Sequence, residues 1–295
     1  MFIIIGTIVV FGAIIAGYLL EHGNLLVLMQ PAELIIIGGA ALGTLLIANP
    51  LSTVIKILKG IVGCLKPSPY NKAFYLDHLK MLFDLFTRGR RQGLSAIEAD
   101  LENPAESQIF SNHPKFLTNH HALAFVCDTL RTHVAGASSP FELDQLMELD
   151  LEVAHHESQA PVTALSTVAD SLPGLGIVAA VLGVVVTMGA LGGPPEEIGH
   201  KVAAALVGTF LGILLCYGLI GPVASYMSKM NEEEENFFRF LRVGVNSFIR
   251  GDSPIISAEF ARRSIQTNVR PAFQEAEAHC RGISAEEKAP ETQAA

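Results

Sequence analysis

Charge is what this chain has least of. Asp, Glu, Lys and Arg make up only 17% of its 295 residues, half of the residues are hydrophobic, and the mean hydropathy is +0.40. Those values lie outside the range of an ordinary soluble domain and point to a membrane protein. Cysteine is scarce too: Cys64, Cys127, Cys216 and Cys280 are far apart, with no CxxC spacing. That excludes a disulfide framework or zinc site readable from spacing and leaves buried or cytosolic thiols. Positive charge is short, and a formal net charge of −9 argues against nucleic acid as a partner. The chain also lacks a phosphate loop, a nucleophile motif and any catalytic constellation, so it does not read as an enzyme and no cofactor is implied. The pairs His120–His121 and His155–His156 suggest a metal only superficially. Adjacent side chains on a helix point apart, and neither Glu-x-x-His nor His-x3-His accompanies them.

What the chain has is four long apolar runs. Met1–Leu20 is apolar from its first residue and carries no basic segment of the kind that opens a secretory signal, so it reads as a retained membrane helix. After a loop from Glu21 to Ala32, a second run extends from Leu34 to Ile55. Pro31 suits the first turn of that helix, and Glu33 complements its positive end. The stretch Ser171–Ser228 supplies two more uncharged runs, each long enough for a hydrocarbon core that takes about 20 residues. Small residues recur at spacings that let helix backbones approach: Gly12-x3-Ala16, Ala13-x3-Gly17, Gly39-x3-Gly43, Ala179-x3-Gly183 and Gly208-x3-Gly212. Pro173 and Pro222 sit near the same end of the second hairpin, where a proline can kink a helix and free backbone groups.

Between and after the hairpins the composition changes. In YNKAFYLDHLKMLFDLFTRGRRQGL and PKFLTNHHALAFVCDTLRTHV, apolar residues recur at helical spacing, and Tyr75, Leu79, Leu82, Phe83 and Phe86 can share one face. Pro140–Pro161 is strongly helix-forming, with Asp170 or Ser171 as a candidate cap for the membrane helix that follows. NEEEENFFRFLRVGVNSFIRG and SAEFARRSIQTNVRPAFQEAEAHC read as two further amphipathic helices before a polar tail from about Ser284. The expected organisation is therefore all-α: a transmembrane hairpin over 1–55, a cytoplasmic helical domain over 56–170, a second transmembrane hairpin over 171–228, and cytoplasmic helices with a tail over 229–295. Of the 20 Lys and Arg, only Lys201 lies in or beside a short inter-helix loop. That asymmetry puts both large polar segments in the cytoplasm. The expected orientation is a periplasmic N-terminus and a cytoplasmic C-terminus.

No Asp, Glu, Lys or Arg falls inside any of the four apolar runs; Glu33 and Asp170 stand at helix ends. Carriers of protons or sodium ordinarily place an ionisable group there. An ion-coupled role would therefore draw that group from a partner, leaving hydroxyls such as Thr187 and Thr209 to line a path or bond to a helix carbonyl.

Four segments, QPAELIIIGGA, IEADLENPAES, DSLPGLGIVAAVLGVV and VGTFLGILLCYGLIGP, together with the two-hairpin layout, resemble the flagellar motor stator family of MotA, over essentially the whole chain to about Phe273. The resemblance implies an inner-membrane ring of five such subunits around two copies of MotB, whose membrane helix supplies a proton-binding aspartate. It implies further that ion flow moves the ring and that cytoplasmic charges push on the rotor protein FliG. Carried over position by position, Pro173 and Pro222 match prolines that link ion binding to movement of the cytoplasmic domain. Thr209 matches a pore-side hydroxyl, and Ala180 stands where sodium-driven relatives tend to have threonine. Alanine offers sodium no oxygen, which favours protons. Arg90 and Glu98 match the rotor-facing pair, in a segment whose Arg88, Arg91, Asp100 and Glu102 would otherwise be a solvated face. Alternative readings are an energiser of the TolQ and ExbB kind serving a periplasmic or outer-membrane system, for which three crossings in a different order are expected, and a passive membrane scaffold.

Overall fold

The computed structural model describes residues 2–136, 138–189, 192 and 194–282, which contain helices and no strands. The tail expected from Ser284 lies outside the described residues. In chain order the helices are α1 (Phe2–Leu20), α2 (Leu25–Leu28), α3 (Pro31–Ala48), α4 (Leu51–Gly63), α5 (Lys72–Gln92), α6 (Ser95–Glu102), α7 (Gln108–Ser111), α8 (Pro114–Leu117), α9 (His120–Val134), α10 (Pro140–Met188), α11 (Pro195–Leu215), a π-helical turn (Cys216–Ile220), α12 (Gly221–Ile249), α13 (Pro254–Ser264) and α14 (Phe273–Arg281). Four of these stretches are long and apolar enough to cross a membrane: Ile3–Leu20, Leu25–Ala48, and segments within Pro140–Met188 and Pro195–Ile249. The chain is an all-α protein with four transmembrane helices.

Local chemistry sets most boundaries. Asn24, Asn71, Ser107 and Asn119 cap α2, α5, α7 and α9 through side-chain oxygens that accept from backbone N–H groups, as in Phe74 N to Asn71 Oδ1 at 3.0 Å. Gly93, at φ +88°, ends α5 in a conformation that other residues rarely adopt.

Three expectations need correction. The second apolar run is not one helix to Ile55. It stops at Ala48, because Asn49 precedes a proline and takes the extended conformation (φ −134°, ψ 146°) that a following proline imposes. Neither Asp170 nor Ser171 caps a new helix: α10 runs unbroken from Pro140 through Pro161 and Pro173 to Met188, and the Ser171 hydroxyl donates to Val168 O at 2.7 Å instead. Finally, four crossings return a chain to the side on which it began, so the two termini lie on the same side and not on opposite ones.

The chain divides into two compact units, Met1–Pro67 with His156–Asn231, and Ser68–His155 with the segment from Glu232. The first contains the membrane helices together with α4 and the middle of α10. Its buried residues form two clusters, one around Leu45, Ile57, Val162, Leu165 and Met227, the other around Ile37, Leu172, Ala179 and Cys216. The second unit is built on the expected apolar face of α5. Tyr75, Leu79, Leu82 and Phe86 are all buried, and they pack with Phe237, Phe240 and Phe248 of α12. Phe86 and Phe248 stack with ring centres 4.6 Å apart. Arg242 of α12 bonds Asp144 of α10 at 2.8 Å, and Arg131 Nη2 of α9 donates to Leu101 O of α6.

Candidate functional site: a glycine-lined helix crossing and a charged turn

The second hairpin is held by glycines. A Cβ built on Gly176 would lie 2.8 Å from Gly208 O and 3.1 Å from Gly212 Cα; one on Gly183 would lie 2.7 Å from Ala205 Cβ. These distances leave no room for a side chain, so α10 and α11 touch backbone to backbone. The pairs Ala179-x3-Gly183 and Gly208-x3-Gly212 are thus used within the chain. By contrast, among the described residues nothing lies within 4 Å of a Cβ at Gly12, Gly17, Gly39 or Gly43.

Thr209, Ala180 and Pro173 all lie at this crossing. Ala180 N is 3.2 Å from the position of a Gly208 Cβ, and Leu172 O, next to Pro173, is 2.5 Å from that of Gly212. Pro173 cannot donate to Ala169 O, so α10 lacks one helical hydrogen bond there. The two threonines differ. Thr187 donates to Gly183 O at 2.8 Å and is satisfied locally. Thr209 is half-buried, and among the described residues its hydroxyl has no hydrogen-bond partner.

Pro222 follows directly on the π-helical turn. Gly221 N bonds Cys216 O, five residues back, and Pro222 has no N–H to offer Gly218 O. Pro222 is exposed and borders a cavity of about 400 Å³ whose other wall is α1, at Ile3, Gly6, Thr7 and Val10. The wide turn was not foreseen from sequence; the nearby Gly218, Gly221 and Pro222 are its only trace there.

A second constellation lies in the other unit, where Gly93 turns α6 back along α5. Arg88 bonds Asp100 at 3.1 Å, and Asp100 is only 5% exposed. Arg90 and Glu98 are both exposed, and among the described residues neither forms an ion pair. Arg91 is exposed as well. With Phe83, Thr87 and Arg281, Arg90 and Arg91 line a cavity of about 340 Å³. Arg281, from α14, was not singled out in the sequence because only the fold brings it to α5. Arg88 is committed to a structural pair, which leaves Arg90 and Arg91 as cations open to a partner. Among the described residues no cluster of three or more metal-ligating side chains occurs.

Comparison with known proteins gives this arrangement its context. Residues 4–93 match the family model for the motility protein A N-terminal region, and residues 118–239 match the MotA/TolQ/ExbB proton channel family. The chain is 39% identical to motility protein A of Escherichia coli (strain K12), over 96% of both chains. The chain belongs to the motility protein A family. As a motility protein A relative it is also 32% identical to chemotaxis protein LafT of Vibrio parahaemolyticus, over 92% of this chain and 96% of that one. Its fold matches a solved C. jejuni MotAB structure with a TM-score of 0.75, at 18% identity, over 92% of this chain and 98% of the other. Membership places it in a multi-pass proton-channel family, and the N-terminal match sets it with the motility proteins rather than with TolQ and ExbB.

Proposed function

We propose that this protein is the ring-forming stator subunit of a bacterial flagellar motor in the inner membrane. Five copies would surround two copies of MotB, which supplies the proton-binding aspartate, and ion flow through the assembly would be converted to torque on the rotor protein FliG. The observation that carries this reading is the identity with Escherichia coli motility protein A along nearly the whole chain. With both basic, polar segments in the cytoplasm, both termini lie there too.

The parts then take roles. Thr209, with its free hydroxyl, lies along the proton path, and the methyl group of Ala180 beside it disfavours sodium. Pro173 and Pro222 interrupt the hydrogen-bond ladders of the two long helices and act as points of bending between the membrane segments and the cytoplasmic segments of the same helices. Arg90 and Glu98 engage charges of opposite sign on the rotor. A proton moving down a potential of about 100 mV releases roughly 2.3 kcal/mol.

The test is proton flux into vesicles containing the chain alone, the chain with MotB, and the chain with MotB whose membrane aspartate is replaced by asparagine. Flux in the second preparation alone is expected. Flux from the chain by itself would overturn the reading.

A further inference from the structure

The membrane unit contains a carboxyl group that the reading above leaves unused. Glu33 lies in the first turn of α3, as its sequence position implies, yet it is buried, 7% exposed, and among the described residues its Oε2 has no hydrogen-bond partner. A glutamate at the third position of a helix often reaches back to the N-cap N–H. Here that donor is already taken, because Gln30 N bonds Leu28 O at 3.1 Å. Glu33 points instead across to α11. Its Oε2 lies 2.6 Å from where a Gly208 Cβ would stand, and that same point is 3.2 Å from Ala179 Cβ and from Ala180 N. The absent side chain of Gly208 is what makes room for the carboxyl, against the crossing that holds Thr209 and Ala180.

A buried carboxyl oxygen without a donor is costly and calls for a function, most of all in a membrane segment. We propose that Glu33 is a proton-binding group that this chain itself contributes to the ion path, taking a proton from the aqueous phase beside the α1–α2 turn and releasing it toward the partner's aspartate. The step is a reversible protonation, carboxylate plus proton to carboxylic acid, with no other bond made or broken. This rests on the stator reading and adds a second titratable group to it.

Among the described residues no ion pair involves Glu33, although the α1–α2 turn before α2 carries Glu21 and His22. Leu25–Leu28, which packs on α11 beside it, holds no titratable residue. The titratable residues of α11 cluster near its start, two turns or more before Gly208, and the nearest, Lys201, is paired with Glu197 at 3.0 Å. On α10, Asp170 lies more than two turns from Ala179, and on α4, Lys56 is paired with Glu157 at 3.5 Å while Lys59 lies a turn further along.

The experiment uses the complex with MotB in proteoliposomes containing a pH-sensitive dye and driven by a potassium diffusion potential. Glu33→Gln is expected to co-purify with MotB but to lower proton influx on the order of 100-fold, whereas Glu33→Asp keeps most of the flux and shifts its pH profile. Wild-type influx and pH profile in assembled Glu33→Gln would overturn the proposal. Should that variant not assemble, the wild-type complex is treated with dicyclohexylcarbodiimide, which reacts with protonated carboxyls in apolar surroundings, and mapped by mass spectrometry. An adduct on Glu33 that rises in step with loss of flux is expected, and its absence would overturn the proposal. If influx persists when the partner's aspartate is replaced by asparagine, the stator reading fails instead, whatever Glu33 does.

Discussion

Gly176 and Gly212 meet backbone to backbone: a Cβ on the first would stand 3.1 Å from the Cα of the second, and a Cβ on the second 2.9 Å from the Cα of the first. The same Gly212 Cβ would also lie 2.5 Å from Leu172 O, and a backbone carbonyl cannot swing away as a flexible side chain can. Gly212→Ala is therefore expected to destabilise the hairpin by about 1–3 kcal/mol. Thermal unfolding of the purified protein in detergent checks this, with Gly12→Ala as the control, since among the described residues nothing lies within 4 Å of a Cβ there. Equal midpoints for the two variants would refute the close packing.

How much of this was legible beforehand depends on whether the cause was local. The apolar face of α5 repeats at helical spacing, and Tyr75, Leu79, Leu82 and Phe86 are buried as that spacing implies, while Phe83 is only half-buried and borders the cavity at Arg90 and Arg91. The four membrane runs were legible from composition alone. Prolines were harder. Pro50 ends α3 while Pro173 and Pro161 leave α10 unbroken, because packing against neighbouring helices can compensate a lost hydrogen bond, and that compensation is tertiary. Glu33 shows the same limit. In sequence it is an acidic residue at a helix start, well suited to the helix dipole; only the gap at Gly208, 175 positions later in the chain, shows that it is buried. The charged segment was legible as a set of charges but not as pairs, and the fold separates Arg88 from Arg90.

That separation predicts opposite phenotypes for two arginines two residues apart. Arg88→Ala leaves Asp100 buried without its partner, and because Arg88 is itself partly exposed the cost is about 1–2 kcal/mol, read as a lower unfolding midpoint. Arg90→Glu removes no internal pair and is expected to leave the midpoint and membrane abundance unchanged while reducing swimming speed, with partial recovery when a facing rotor charge is reversed. Unimpaired swimming in Arg90→Glu would exclude Arg90 from the rotor contact.

The second compact unit should also weaken in acid through His78. Burial lowers its pKa from 6.5 to about 4, against smaller opposing effects from its bond to Phe74 O (2.7 Å) and from Asp77; His113 and Lys115 add to the lowering. Since the folded pKa is depressed, the unfolded chain binds a proton below pH 6.5 that the folded chain refuses until about pH 4. Stability attributable to this group is present above pH 6.5 and falls as the pH drops through that window, by on the order of 3 kcal/mol in all. Midpoints measured from pH 7 to pH 4 are expected to fall more steeply for the wild type than for His78→Gln. Parallel slopes would remove His78 as the cause.

The last prediction concerns Pro222. Replacing it with alanine supplies an N–H that can bond Gly218 O, which favours an ordinary α-helical turn over the wide turn that now joins Cys216 to Gly221. If bending at this point links ion binding to movement of the cytoplasmic segments, the repaired helix transmits less of it. Pro222→Ala is thus expected to reach the membrane in normal amount, to protect its amides from 216 to 221 more strongly against hydrogen exchange, and to swim poorly. Pro173→Ala, by restoring a donor to Ala169 O, is expected to act in the same direction on α10. Stronger amide protection with full motility would separate the π-helical turn from the coupling, and loss of the protein from the membrane would instead assign the prolines to folding.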